Sequence, residues 1–292
     1  MNIPTGVPVE KRKFLKNLTG RLSKVPGMQA VVLGGSYANG TQHEGSDLDI
    51  GLYYCEAQPF SVQAIEKIAK DLSRPGLPST VTGFYEWGHW VNGGAWIETE
   101  AGKVDFLYRN LDHIQKTILE ANQGIVQHDY DQQPTHGFYS VGYLAETQIC
   151  IPLYDPGQLI ADLKKQVAVY PTRLKHRIIV DSLWSAEFTL KFARGFAEKA
   201  DVYNTVGCLT RTAAQLTQAL FALNESYFLS DKKVMETIAS FQIKPSNYVE
   251  TILGILACPG ETCAELSDTV TRLENIWKSV AEVAGIIYQP KY

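Results

Sequence analysis

The spacing of apolar and polar residues changes near the middle of the chain. Up to about residue 150, short apolar runs alternate with stretches of helical periodicity, whereas the rest of the chain repeats apolar residues at helical spacing. Strands mixed with helices, followed by helices alone, are typical of an α+β protein with a separate helical part. We therefore expect two domains: residues 1–150 with a mixed sheet and flanking helices, and residues 151–292 with an all-helical bundle.

The first half is predicted to begin with an amphipathic helix that Pro26 and Gly27 end. Short apolar runs with strand composition follow, and a turn at residues 100–102 joins two of them into a hairpin. The predicted helices cover residues 9–24, 61–72 and 112–122, and the predicted strands cover residues 30–33, 48–54, 95–98 and 104–108.

The second half is predicted to consist of helices at residues 172–199, 202–228, 231–241, 246–257 and 261–284. The second of these helices repeats apolar residues at alternate steps of four and three, which is the seam of a packed helix pair. The residues of this seam are Val202, Val206, Leu209, Ala213, Leu216, Leu220 and Leu223.

The composition is that of an ordinary soluble globular protein. Apolar residues make up 45% of the chain and charged residues 20%, and no low-complexity tract occurs. No apolar run approaches the ~18 residues of a membrane helix, and residues 1–16 lack the apolar segment of a signal peptide. We therefore expect a cytoplasmic protein with no membrane partner.

Cysteine usage and charge narrow the range of partners. The five cysteines are odd in number and scattered, which argues against a disulfide framework, and Cys258 and Cys263 lack the spacing of a zinc site. The net charge of -4 attracts no polyanion, so binding of extended nucleic acid would require a local basic patch. A small molecule or a protein is the expected partner.

The candidate chemistry begins where the predicted strand at residues 30–33 runs into Gly34, Gly35 and Ser36. Two glycines leave no Cβ between the backbone and a ligand, which allows the close approach of a phosphate. If a short helix opens after Ser36, its unpaired N–H groups and its dipole favour triphosphate oxygens, and the Ser36 hydroxyl adds a hydrogen bond. Taken alone, the three residues also suit a plain strand-to-helix turn.

Asp47 and Asp49 follow on the next predicted strand. Because strand side chains alternate in direction, both carboxylates lie on one face, about 6.6 Å apart along the chain. Two like charges held so close need protonation or a cation between them. Carboxylate oxygens with no sulfur or histidine nearby favour magnesium, which proteins bind together with substrate phosphates. We count Ser46, directly before the pair, among the cofactor-binding residues with Gly34, Gly35 and Ser36.

Residues 31–50 resemble the signature of the DNA polymerase beta-like nucleotidyltransferase superfamily: an apolar strand, Gly-Gly or Gly-Ser, about ten residues, then Asp-x-Asp. The two-part layout, a nucleotidyltransferase domain before a helical bundle, looks like that of the adenylyltransferases that inactivate aminoglycosides and lincosamides. The motif covers residues 28–108, and the helical half is compared by architecture alone.

The resemblance implies a third carboxylate from a neighbouring strand, and Asp105, which has apolar neighbours, is the residue that fits. It then implies Asp47, Asp49 and Asp105 as catalytic metal ligands in a two-magnesium transfer of a nucleoside monophosphate to an acceptor hydroxyl. ATP is the expected triphosphate. Many relatives carry arginine where this chain has Asn39, so the cation that neutralises phosphate would come from elsewhere. The candidates are Lys164, Lys165, Arg173, Lys175, Arg177, Lys191 and Arg194.

Glu98 is the candidate general base, because Trp96, Glu98 and Glu100 share one face of a predicted hairpin strand. The alternative is an exposed strand glutamate without a catalytic role, and Glu187 in the second half is a rival base. Three tryptophans lie close together in this part of the sequence, and they suit either core packing or stacking on a base or an acceptor ring. They are Trp87, Trp90 and Trp96.

Three other functions stay open. A polypeptide acceptor, as in antitoxin-like members of the superfamily that adenylylate a partner protein, would look the same in sequence. A nucleotide-binding module without chemistry is the second, although such a module has little use for two converging aspartates. A polymerase or tRNA-tailing role is the third, and the acidic chain without a basic-aromatic stripe argues against it.

Overall fold

The computed structural model describes residues 3–292, which divide into two compact units. The first unit runs to Leu119 and continues over His128–Val169, and the second comprises Glu120–Gln127 and Tyr170–Tyr292. The α+β architecture predicted from the sequence is confirmed, with a mixed sheet in the N-terminal part and long helices in the C-terminal part.

Within the residues that the structure describes, the first unit contains eight strands and six helices. One of these helices, α4, begins in the first unit and ends in the second. The strands of the first unit are β1 (Ala30–Leu33), β2 (Leu48–Tyr54), β3 (Thr80–Val81), β4 (Gly94–Thr99), β5 (Gly102–Asn110), β6 (His128–Asp129), β7 (Phe138–Tyr139) and β8 (Ile151–Tyr154). Its helices are α1 (Val9–Leu22), α2 (Gly35–Asn39), α3 (Val62–Leu72), α4 (Leu111–Asn122), α5 (Val141–Ile149) and α6 (Leu159–Gln166).

The main sheet has six strands in the order β3-β4-β5-β2-β1-β8. Its central pair, β2 with β5, is parallel, whereas the other neighbouring strands are antiparallel. A parallel pair requires a crossover connection, and here α3 and the strands β3 and β4 lie between the two strands in the chain. The strands β6 and β7 form a separate two-stranded sheet.

One face of the main sheet forms the core of the first unit. Alternate residues of β2 and β5 point to this side and are buried, as the period of two along a strand requires. Helices α1 and α3 cover them, because Leu15, Leu18 and Leu22 repeat at helical spacing and Ile65 and Ala69 do the same in α3. The core residues from the two central strands are Leu48, Ile50, Leu52, Tyr54, Val104, Phe106 and Tyr108.

The boundary of the first unit differs from the predicted division at residue 150. The strand β8 begins at Ile151 and pairs antiparallel with β1, so residues 151–169 belong to the first unit. Helix α5, which precedes β8, was not expected either. Its residues are buried on almost every side, so no alternation of apolar and polar positions marks it as a helix.

The second unit consists of helices. The seam predicted along α8 is buried from Leu209 to Leu223, whereas Val202 at its start is 39% exposed. Thr262 and Glu265 form a capping box at the start of the last long helix, which satisfies backbone N–H groups there. The helices of this unit are α7 (Thr172–Ala197), α8 (Val202–Leu223), α9 (Val234–Ser240), α10 (Tyr248–Ala257) and α11 (Cys263–Ala284), followed by a short 3-10 turn (Gly285–Ile287).

Two expectations from composition concern the whole chain. None of the helices within residues 3–292 combines the length and the apolar character needed to cross a bilayer. All five cysteines are free thiols.

Glu187, the rival base, is fully engaged within the second unit. Its carboxylate is buried and accepts hydrogen bonds from the Tyr288 hydroxyl and from the backbone N–H groups of Lys291 (2.9 Å) and Tyr292 (2.7 Å). These bonds fasten the C-terminal segment to α7, which is a structural role for this side chain.

Replacing Glu187 is expected to release the C-terminal segment. Glu187→Ala removes the common acceptor of three donors, so we expect a loss of about 1–3 kcal/mol in the free energy of unfolding and faster amide hydrogen exchange at residues 288–292. Mass-spectrometric exchange measures the second effect directly. Glu198→Ala, which changes an exposed glutamate of the same region, is the control. Unchanged exchange in Glu187→Ala would contradict this role.

Candidate active site

Asp49 and Asp105 are direct neighbours across the central parallel pair of strands. They are register partners on β2 and β5, and each is half-buried between two fully buried apolar residues of its own strand. Register partners on adjacent strands stand on the same side of a sheet, with their backbones about 4.8 Å apart. We call this side, opposite the core, the aspartate face.

Gly35 explains how the turn after β1 meets Asp49. Its φ is +56°, and a Cβ at this position would lie 2.5 Å from Cγ of Asp49 and closer still to Oδ2. The carboxylate therefore occupies the space that any other side chain would need, and only glycine combines this backbone conformation with this contact. The Gly34 N–H donates to the backbone oxygen of Asp49 (2.8 Å), which continues the pairing of β1 with β2 into the turn.

Ser36 and Asp47 flank this contact. A short helix was expected after Ser36, and α2 begins one residue before it, at Gly35. Ser36 is half-buried in the first turn of α2, and Gly40 ends that helix with a φ of +72°. Asp47 lies immediately before β2 and is also half-buried. The start of this short helix lies next to Asp49, because Gly35 contacts the Asp49 carboxylate.

The loop before Asp47 is held together by Ser46. The buried Ser46 hydroxyl accepts a hydrogen bond from the His43 N–H (2.9 Å), and the Ser46 N–H donates to the His43 oxygen (3.0 Å). The Lys11 ammonium of α1 donates to the Ser46 backbone oxygen (2.6 Å) and lies 5.0 Å from the ring centroid of Tyr37. In this structure Ser46 therefore shapes the loop, and Lys11 brings to it a positive charge that sequence reasoning missed.

Trp96 extends the row of Asp49 and Asp105 across the sheet. It is the register partner of Asp105 on β4, and its indole is stacked on Trp87 with ring centroids 4.5 Å apart and an interplanar angle of 19°. Glu98 stands two residues further along the same face, half-buried and opposite Lys103. The candidate base thus lies next to this row, diagonal to Asp105.

Trp90 separates from the other two tryptophans. It is buried, stacks on Phe138 with ring centroids 5.2 Å apart, and lies against His113 and Tyr143. For Trp90 the interpretation as core packing describes the structure, whereas Trp87 and Trp96 stand beside the aspartates.

An ion pair with a buried arginine and a half-buried glutamate lies on the aspartate face beyond Asp105. The Arg109 guanidinium binds Glu146 of α5 through two hydrogen bonds of 2.8 Å and 2.9 Å. Burial disfavours the charge of Arg109, but the Glu146 carboxylate outweighs this and raises the pKa of the guanidinium. Removing one partner of such a pair leaves an uncompensated buried charge, so the pair anchors α5 to the sheet. The two residues are 37 positions apart, and no local pattern indicates their pairing.

Asp49 and Asp105 offer carboxylate oxygens as metal ligands, and magnesium prefers hard oxygen ligands of this type. The backbone brings Asp49 and Asp105 together, with Asp47 just outside the strand. Within residues 3–292, however, no group of three or more His, Cys, Asp or Glu side chains is arranged so that it could hold a metal ion. The fit to magnesium therefore rests on the nature of the donors and on two neighbouring carboxylates.

Most of the basic residues between 164 and 194 have structural partners within their own unit. Lys164 donates to the backbone oxygens of Gln148 and Cys150 (2.5 Å and 2.7 Å), which satisfies the end of α5. Ion pairs or ring contacts engage the others: Lys165 with Asp162, Lys175 with Glu225, Arg177 with Asp181, Arg194 with Glu274, and Lys191 with the Tyr292 ring.

Residues 13–86 match the nucleotidyltransferase domain family. The matched segment contains the Gly35 turn and both aspartates of the Asp-x-Asp pair, and it ends before Asp105. The resemblance to nucleotidyltransferases inferred from the motif is thereby confirmed, and nucleotidyl transfer is the class of activity that the match supports.

Several solved structures are similar to this chain, among them these two. One is a nucleotidyltransferase-like protein from Exiguobacterium sibiricum 255-15, with 11% identity over 95% of this chain and 78% of that chain and a TM-score of 0.46. The other is an aminoglycoside 6-adenyltransferase from Bacillus subtilis, with 12% identity over 98% of this chain and 94% of that chain and a TM-score of 0.34. No curated protein matches the chain.

The contact between Gly35 and Asp49 predicts that Gly35→Ala displaces the carboxylate and weakens binding of magnesium ATP at least tenfold. Gly40→Ala is a matched control, because Gly40 also has a positive φ but a Cβ there meets nothing within 4 Å. Both variants carry the backbone strain of alanine at positive φ, and only the first moves Asp49. Calorimetric titration with the nucleotide measures the difference. Equal affinities in the two variants would show that the contact does not matter.

Proposed function

We propose that this chain is a magnesium-dependent nucleotidyltransferase that transfers AMP from ATP to a hydroxyl group of a small molecule. The observation that carries the proposal is the row formed by Gly35, Asp49 and Asp105, in which a glycine turn of the matched domain touches one of two adjacent carboxylates. A plain strand-to-helix turn does not require a carboxylate against its glycine, nor a second carboxylate in register beside it.

Asp49 and Asp105 would hold the magnesium between them, and Asp47, immediately before β2, is the third ligand that we propose. When bound, the metal would supply positive charge to the triphosphate and lower the pKa of the attacking hydroxyl. Their oxygen donors fit this ion, and the pairing of Asp49 with Asp105 keeps two of them together on rigid strands. A site built on paired strands holds its side chains more accurately than a site built on loops.

The turn after β1 binds the phosphates. The first N–H groups of α2 have no acceptor within the helix, and with the Ser36 hydroxyl they orient the terminal phosphates of ATP. Gly34 and Gly35 let the phosphates approach the backbone, since no Cβ stands in the way. Lys11 adds a positive charge to the loop that ends at Asp47. Ser46 acts on the nucleotide indirectly, through the shape of this loop.

Glu98 is the residue proposed to take the proton from the acceptor hydroxyl. It stands on the same face as Asp105, two residues along β4 from Trp96, the register partner of that aspartate. The acceptor oxygen then attacks the α-phosphorus, the bond from this phosphorus to the bridging oxygen breaks, and pyrophosphate leaves. Attack in line with the leaving group requires the acceptor and the pyrophosphate to lie on opposite sides of the phosphorus.

Transfer of label from α-labelled ATP in the presence of magnesium tests the proposal. The acceptors are a panel of aminoglycosides, lincosamides and aromatic alcohols together with co-purifying proteins. We expect Asp49→Asn and Asp105→Asn to lower transfer by a factor of about a hundred or more while the fold is retained. Asp71→Asn, which changes a half-exposed surface ion pair with Arg21, is the control and should keep full activity.

Each outcome of the transfer experiment has a distinct meaning. Label on a small molecule that disappears in both aspartate variants supports the proposal. Label on a protein instead would make this a protein-modifying enzyme. Nucleotide binding without transfer to any acceptor would favour a binding module, and equal transfer by Asp49→Asn would contradict the assigned site.

A further inference from the structure

We propose that Trp96, supported by Trp87, is a stacking platform for a flat ring of the acceptor. The inference deepens the proposed nucleotidyl transfer and rests on it, because it assigns the acceptor to one side of the aspartates. The ligand class is a neutral or cationic molecule that carries a hydroxyl group close to an aromatic ring.

The order of the strands separates the two substrates. Across the aspartate face the row begins at Gly35, which touches Asp49, continues to Asp105 and reaches Trp96. Each step from strand to strand is about 4.8 Å, so Trp96 lies roughly 10 Å from Asp49. With the terminal phosphates at the Gly35 turn, an acceptor in line with the leaving pyrophosphate comes from the opposite end of this row. That end is β4, where Trp96 stands.

Trp96 is held in place by the residues around it. Trp87 covers Gly94, where a Cβ would lie 2.9 Å from Cζ3 of the Trp87 ring and would overlap the Phe106 oxygen. The Trp87 backbone N–H donates to the Asn92 backbone oxygen (2.8 Å), which fixes the loop that carries the ring. Trp87 therefore supports one face of the Trp96 indole by stacking, as an offset pair of rings does.

The second face of the Trp96 indole is accessible. Trp96 is 52% exposed although Trp87 stacks on it. A single exposed tryptophan is ordinary on a protein surface, and Trp184 of α7 is 40% exposed as well. Trp96 differs in that it is the register partner of Asp105 and has a supporting ring beneath it.

The neighbours of Trp96 define the charge of the ring it accepts. Glu98 follows on the same face of β4 with Lys103 opposite it, and Asp105 stands beside Trp96 on β5, so two carboxylates face one lysine. Two carboxylates repel an anionic ring, whereas an indole attracts flat rings and cations to its face. A hydroxyl group on such a ring would stand between the indole and the carboxylates, next to the residue proposed as the base.

Fluorine NMR of the full chain labelled with 5-fluorotryptophan tests the platform. The chain has five tryptophans, and Trp96→Phe assigns one resonance to this position. Benzyl alcohol is the probe, because it carries a ring and a hydroxyl group, and 2-propanol is the control without a ring. We expect benzyl alcohol to shift the Trp96 resonance and leave that of Trp184 in place, and 2-propanol to shift neither.

Affinities in two matched variants complete the test. Trp96→Ala should weaken binding of benzyl alcohol, followed at the Trp87 resonance, by roughly three- to tenfold, with the affinity for magnesium ATP unchanged within about twofold. Trp184→Ala should change neither affinity. Absence of a shift with benzyl alcohol, or an equal shift with 2-propanol, would overturn the platform. A tenfold loss of ATP affinity in Trp96→Ala would show that the Trp96 indole stacks on the nucleobase. That result would overturn the proposal that Trp96 binds the acceptor.

Failure of the underlying function would be visible separately. Asp49→Asn removes a residue proposed to hold the metal and the nucleotide, so it should abolish transfer. Benzyl alcohol should still bind Asp49→Asn as it binds the unmodified chain. A chain that transfers no label but still shows the ring-specific shift at Trp96 would retain the platform and lose the proposed reaction.

Discussion

Seven consecutive register pairs join β2 to β5 in parallel, and the candidate site depends on this pairing. Parallel strands cannot be linked by a tight turn, so the chain crosses through α3, β3 and β4 before β5 begins. The crossover covers the core with α3 and brings β4 to the far side of β5. One register therefore sets both the apolar partners inside the sheet and the neighbouring carboxylates of Asp49 and Asp105 on its other face.

The second constraint is steric. Gly35 has no side chain, and the Asp49 carboxylate uses the space that a Cβ would fill. The turn can thus place the backbone of α2 next to a carboxylate that is itself paired in register with Asp105. Repulsion between two adjacent carboxylates is the reason that a cation belongs in the proposed mechanism. The glycine matters here because of what it touches, in addition to its backbone freedom.

Features that depend on local periodicity could be predicted from the sequence alone. The strand that carries Asp49 lies where its alternating pattern predicts it, with Asp47 directly before its first residue, and the long helices of the second unit appear within a few residues of their predicted ends. Interactions across distant parts of the chain left no such signal. The approach of Lys11 to Ser46 and the pairing of Arg109 with Glu146 depend on how elements pack. The place of Asp105 was available only through resemblance to a family, because register between distant strands cannot be read from either strand alone.

A crystal grown with Mn²⁺ and a non-hydrolysable ATP analogue offers the most direct test of the central claim, that Asp49 and Asp105 form the metal site of a nucleotidyltransferase. Anomalous scattering locates manganese independently of the protein coordinates. The account predicts an anomalous peak within about 2.5 Å of carboxylate oxygens of both residues, with the analogue's phosphates at Gly35 and Ser36. A bound nucleotide whose metal lies away from both aspartates would contradict it.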